Sequence, residues 1–128
     1  MYKKTTWKEL ENDVNSMYEY IRIMSRAVDF KGIWGPPRGG LILAVMLSHR
    51  TGLPMISKGR YLSDYKPLIV VDDIADTGKT LEESRKIKDN IIMTLYYHKQ
   101  STVIPDYWIH EKKNEWILFP WETVDSTE

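Results

Sequence analysis

The chain has 128 residues, one domain's worth on the usual scale of about 100–200. Apolar residues make up 42% and charged residues 28%, so the composition supports a buried core and excludes disorder. Lys plus Arg (18) cancels Asp plus Glu (18), which excludes nucleic-acid binding through a broad cationic surface, and the lack of Cys excludes disulfides, thiolate metal sites and a cysteine nucleophile.

The first residues, Met1 to Trp7, contain no apolar signal region, and no later run approaches the roughly 20 apolar residues of a membrane span. A soluble, cytoplasmic single domain with neither nucleic-acid nor membrane partners is therefore expected. Thr6-Trp7-Lys8-Glu9 fits a capping box. After it, Leu10, Val14, Met17, Ile21, Met24 and Val28 recur at intervals of three and four, predicting an amphipathic helix that ends near Ala27. Phe30 to Trp34 is a short apolar run bounded by Gly35-Pro36-Pro37 and predicts a strand. Gly39-Gly40 opens an apolar helix, Leu41 to Arg50, and Met55-Ile56-Ser57 is expected as a further short strand.

Pro67-Leu68-Ile69-Val70-Val71 is a continuous β-branched run, as in a strand buried on both faces. It is expected to end in Asp72-Asp73, with a helix from Thr80 to about Asp89 and a strand from Ile91 to Tyr97. Strands alternating with helices predict an α/β fold with a mainly parallel sheet flanked by helices. The aromatic tail from Trp108 to Trp121 is expected as a small appended β segment. One domain over 1–128 is the expectation, with a core at about 28–98 and a hood at about 99–128, the N-terminal helix packed nearby.

The stretch Leu68-Ile-Val-Val-Asp72-Asp73-Ile-Ala-Asp76-Thr77-Gly78-Lys79-Thr80-Leu81 carries the chemistry. In open parallel sheets ligands sit beyond the carboxyl ends of the strands. A buried strand delivering two carboxylates there places costly charges where solvent, metal or ligand must offset them. The loop after it supplies two hydroxyls, a Gly that permits close approach and free amides at a helix start, an anion site of phosphate size. No Gly-x-x-x-x-Gly-Lys-Ser/Thr motif is present, which excludes a Walker-type loop.

Val70-Val-Asp-Asp-Ile-Ala-Asp-Thr-Gly-Lys-Thr80 closely resembles the motif that binds 5-phosphoribosyl 1-pyrophosphate (PRPP) in type I phosphoribosyltransferases. Gly32-Ile-Trp-Gly-Pro-Pro-Arg38-Gly39-Gly40-Leu resembles the family's pyrophosphate loop, which often holds a non-proline cis peptide. Pro105-Asp-Tyr-Trp and Glu115-Trp116-Ile117-Leu-Phe-Pro-Trp121-Glu122 resemble the hood of the small xanthine-guanine and hypoxanthine members.

The resemblance implies transfer of phosphoribose from PRPP to a purine base, a 6-oxopurine being favoured, by a homodimer or higher homo-oligomer. Asp72 and Asp73 would hold the ribose hydroxyls and help place Mg²⁺. Thr77, Gly78, Lys79 and Thr80 would cradle the 5-phosphate, and Pro37, Arg38 and Gly39 would meet the pyrophosphate. Trp116 would stack on the base, the Ile117 backbone would read its edge, and Asp76 would be the acid–base residue near purine N7. Two departures qualify this. Where purine-specific members place a Lys that contacts O6, the chain reads Tyr96-Tyr97-His98-Lys99-Gln100, leaving His98 or Lys99 for that contact. The mobile loop is reduced to about Lys58 to Lys66, where Lys58, Arg60 and Lys66 would face pyrophosphate. A PRPP- or nucleotide-binding regulatory domain without turnover, and a transferase for a non-oxopurine base, remain as alternatives.

Overall fold

The computed structural model describes residues 2–57 and 66–124, so Lys58 and Arg60 of the expected mobile loop lie outside the described residues. The chain opens with strand β1 (Tyr2–Lys4) and helix α1 (Trp7–Met24), followed by β2 (Gly32–Trp34) and α2 (Gly39–Thr51). Next come β3 (Leu68–Ala75), a single 3₁₀ turn at Lys79–Leu81 and the short helix α3 (Glu82–Lys86). β4 (Ile91–His98), β5 (Tyr107–Lys112) and β6 (Trp116–Leu118) complete the order.

The main sheet is four-stranded and wholly parallel, in the order β2-β3-β4-β5. Side chains alternate across a strand, and β3 shows it. Ile69 and Val71 pack with Leu10, Val14 and Met17 of α1 and Leu43 and Leu47 of α2. Leu68 and Val70 pack on the opposite face with Trp34, Leu81, Ile92 and Val103. A strand covered on both faces needs its backbone satisfied at its ends as well. At the start of β3 the Leu68 amide donates to the buried Asn90 side-chain oxygen at 2.7 Å. At the start of β4 the Ile92 amide donates to Asp106 Oδ2 at 2.8 Å, and Arg85 of α3 bridges to the same oxygen at 3.1 Å.

The α1 cap forms as its sequence predicts: the Glu9 amide donates to Thr6 Oγ1 at 3.1 Å. Other elements differ from expectation. β3 runs on through Asp72 and Asp73 to Ala75, because its pairing with β4 continues as far as Ala75 opposite Tyr97. The helix expected over Thr80–Asp89 is a 3₁₀ turn and five α-helical residues, ending where Ile87 turns extended. Met55 makes one bridge with Ile33 in place of a strand. The tail splits in two: β5 joins the main sheet beside β4, and β6 pairs in parallel with β1, which sequence periodicity does not reveal.

Candidate active site

The carboxyl ends of β3 and β4 and the start of α2 converge on one end of the sheet. β3 and α2 meet through two glycines at the helix start. A Cβ on Gly39 would lie 2.0 Å from Asp73 Oδ2, and one on Gly40 would lie 2.7 Å from the Val71 carbonyl oxygen. These glycines let the helix seat directly on the paired aspartates. Just before them, the Pro37–Arg38 peptide is cis.

Asp72 is 8% exposed and accepts from the Asp73 amide at 2.9 Å and from Thr80 Oγ1 at 3.5 Å. Asp73 accepts from the Ile74 amide at 2.8 Å. Burial, and then the charge of Asp73, raise Asp72 well above the ordinary carboxylate range; burial also raises Asp73. The two carboxyl groups thus hold their protons more tightly than free ones. Both line a cavity of about 480 Å³ together with Pro37, Arg38, Gly39, Trp121 and Glu122.

Downstream, Gly78 adopts a left-handed conformation (φ 89°), and a Cβ there would press on Ser101 and Thr102. Thr102 braces the turn by donating its amide (2.9 Å) and hydroxyl (3.2 Å) to the Thr77 carbonyl. Thr77, Lys79 and Thr80 are exposed around it. The Lys79 amide donates to Thr77 Oγ1 at 3.4 Å.

A second cavity, of about 200 Å³, is lined by Asp73, Ile74, Asp76, Lys112, Trp116, Ile117, Phe119 and Glu122. Asp73 and Glu122 border both cavities, so the two adjoin. Trp116 is 50% exposed, whereas Ile117 is buried. Burial raises the Glu122 carboxyl, which accepts the Phe119 amide at 3.0 Å. Asp76 is met from behind by His98 Nδ1 at 2.9 Å and by Gln100 Nε2 at 3.1 Å. Another cavity, about 340 Å³ between α1 and the end of α2, is lined by none of the candidate site residues.

No protein-family model matches the chain. The structure of a purine phosphoribosyltransferase from Pyrococcus horikoshii superposes with a TM-score of 0.79 at 31% identity, covering 95% of this chain and 94% of that one. The chain belongs to the type I phosphoribosyltransferases. A xanthine-guanine-hypoxanthine phosphoribosyltransferase from Helicobacter pylori shares the fold, with a TM-score of 0.76 at 19% identity over 98% of this chain and 95% of that one. In sequence, a xanthine-guanine phosphoribosyltransferase of Gluconobacter oxydans is 26% identical over 96% of this chain and 86% of its own length. This chain is accordingly an enzyme of phosphoribosyl transfer.

The fold of this transferase brings together most of the residues selected from sequence. Pro37, Arg38, Gly39, Asp72 and Asp73 share the larger cavity, and Asp76, Trp116 and Ile117 the smaller. Lys99 stands apart from them: it directly follows the last residue of β4, is 80% exposed, and its ammonium lies 3.6 Å from Glu111. His98 is directed at Asp76 and does not line the cavity. Lys112 lines the cavity, and sequence reasoning missed it: nothing in Glu111-Lys112-Lys113 separates it from a solvated charge run.

Proposed function

We propose that the enzyme transfers phosphoribose from PRPP to a 6-oxopurine, releasing pyrophosphate and the nucleoside 5-monophosphate. The observation that carries this reading is the pair of adjoining cavities. One is lined by carboxylates and the Pro37–Gly39 loop, the other by a half-exposed tryptophan, with Asp73 on their common border. A sugar phosphate and a flat heterocycle have matching surfaces there.

In this reading Asp72 and Asp73 hold the ribose hydroxyls, and Thr77, Gly78, Lys79 and Thr80 cradle the 5-phosphate. Pro37, Arg38 and Gly39 receive the leaving pyrophosphate. Mg²⁺ suits this donor set: it binds through one or two carboxylates plus substrate phosphates, and Asp72 and Asp73 are two carboxylates lining the larger cavity. When bound, it would neutralise charge growing on the departing pyrophosphate.

Trp116 supplies a stacking face, and the Ile117 backbone reads the edge of the base. Asp76, beside the base, removes its N7 hydrogen as N9 joins the ribose, while His98 and Gln100 fix the carboxylate. Such an active site works mainly by positioning and by preset charge. A single domain spanning 1–128, a cytoplasmic setting and a homodimer or higher homo-oligomer belong to the same reading; no helix among the described residues is long and apolar enough to cross a membrane. The test is pyrophosphate release from PRPP with hypoxanthine, guanine, xanthine and adenine in parallel. Turnover with the first three bases above adenine is expected, and PRPP binding without turnover on any base would overturn the reading.

A further inference from the structure

His98 is engaged with Asp76 and Lys99 with Glu111, so neither residue expected to read the base reaches the smaller cavity. Lys112 does. It ends β5, directly opposite His98 in the parallel register, and its side chain is 13% exposed. Lysine is among the residues least often buried, and it usually carries its ammonium out to water even when its stem is covered. Here the ammonium forms no hydrogen bond among the described residues. Its nearest carboxylate oxygen, Asp76 Oδ1, is 3.8 Å away, beyond hydrogen-bond length. A cation so placed gains from an acceptor brought by a ligand.

We propose that Lys112 is the residue that sets base specificity, donating to the exocyclic carbonyl oxygen of a 6-oxopurine stacked on Trp116. This rests on the reading of the smaller cavity as the base site. The base and the cavity wall have complementary edges. On a purine, the substituent at position 6 lies beside N7. A free 6-oxopurine carrying its hydrogen on N7 therefore presents an acceptor next to a donor. The cavity wall presents the reverse, the Lys112 ammonium next to the Asp76 carboxylate. Adenine carries an amino group at position 6, so N–H would meet N–H and the ammonium would gain no acceptor beyond Asp76. A site that hydrogen-bonds a given group rejects analogues lacking it far more strongly than a stacking surface can. The two functions then separate: Trp116 holds any base, and Lys112 selects among them.

Lys112→Met keeps the stem and removes the ammonium. We would measure kcat/KM for hypoxanthine and adenine, dissociation constants for IMP and AMP, and PRPP binding with Mg²⁺ as the control for an intact site. The expected result is a fall of about ten- to hundredfold in the preference for hypoxanthine over adenine, as for loss of a charge-assisted hydrogen bond. The IMP-to-AMP affinity ratio should fall in parallel, with PRPP binding kept. Lys112→Gln offers both a donor and an acceptor, and should raise adenine toward hypoxanthine; it decides the matter should the Met variant fail to fold. A variant that binds PRPP and keeps the wild-type preference overturns the role of Lys112 while leaving the base cavity in place. A wild-type enzyme that handles adenine as well as hypoxanthine overturns both this proposal and the oxopurine reading.

Discussion

His98 Nδ1 lies 2.9 Å from Asp76 Oδ1, joining the end of β4 to the residue just beyond β3. A carboxylate oxygen accepts, so Nδ1 carries the hydrogen and the ring holds Asp76 in one orientation. The histidine thereby acts on the base only through the carboxylate. Asp76→Asn should lower kcat by roughly 10²–10⁴-fold with PRPP affinity nearly unchanged, since the amide keeps the shape but takes no proton. His98→Ala should lower kcat for every base and leave their ranking alone, and Lys99→Ala should change neither. Steady-state kinetics on the base panel, with PRPP calorimetry, checks all three.

Trp116 is half exposed and lines the smaller cavity. Stacking contributes about 1–3 kcal/mol per base whatever the base. Trp116→Ala should therefore weaken hypoxanthine, guanine and adenine alike, by roughly 5–150-fold. Binding titrations in the presence of a PRPP analogue give the comparison. Selective loss of one base would show that the ring reads identity as well as shape.

Gly39 touches the site without offering it a side chain. A methyl there would collide with the Asp73 carboxylate, which must then turn aside. Gly39→Ala should raise the Kd for PRPP at least about tenfold while far-UV circular dichroism stays native. In an Asp73→Ala background the same change should cost little more, because the group it displaces is gone. Residues in direct contact are where such non-additivity is expected.

The paired aspartates also give the metal-free enzyme a pH dependence. Burial raises both, most strongly Asp72, so the folded state retains protons that the unfolded chain has released. Above the ordinary carboxylate range, near about pH 4, unfolding free energy should thus fall as pH rises through the native values. Asp72→Asn cannot ionise and should flatten that fall, unfolding at higher urea than wild type at neutral pH. Adding PRPP and Mg²⁺ should reverse the order, because the wild type alone keeps the carboxylate that the ligands use. Urea titrations from about pH 4 to 8, with and without ligands, measure both effects.

Local patterns carried much of this molecule. The β-branched run into Asp72-Asp73, the Arg38-Gly39-Gly40 helix start and the Trp116-Ile117 segment are short, dense motifs whose chemistry is legible before any contact is known. What escaped depends on pairing at a distance. Tyr2-Lys3-Lys4 has no apolar alternation and becomes a strand only because β6 lies beside it. Tyr107–Lys112 reads as an aromatic tail until its register with β4 places it in the main sheet. The extension of β3 past two charges follows from β4 continuing alongside, against the usual expectation that charge ends a buried strand. Lys112 is the functional cost of the same blindness: its role comes from standing across from His98, and a register cannot be counted along one chain.

The three-residue pairing of β1 with β6 ties the two ends of the chain together at the base-facing strand. Thr5 Oγ1, just past β1, donates to the Leu118 carbonyl at 3.2 Å across 113 residues of sequence. So long a loop is closed by a very short ladder. What anchors β6 is burial: Ile117 and Leu118 are buried, and Ile117 and the neighbouring Phe119 share a core with α1 and β3. The half-exposed Trp116 is thus an aromatic face bolted to the hydrophobic interior through its own neighbours in sequence, and damage to that interior should be felt first by the flat ligand it serves.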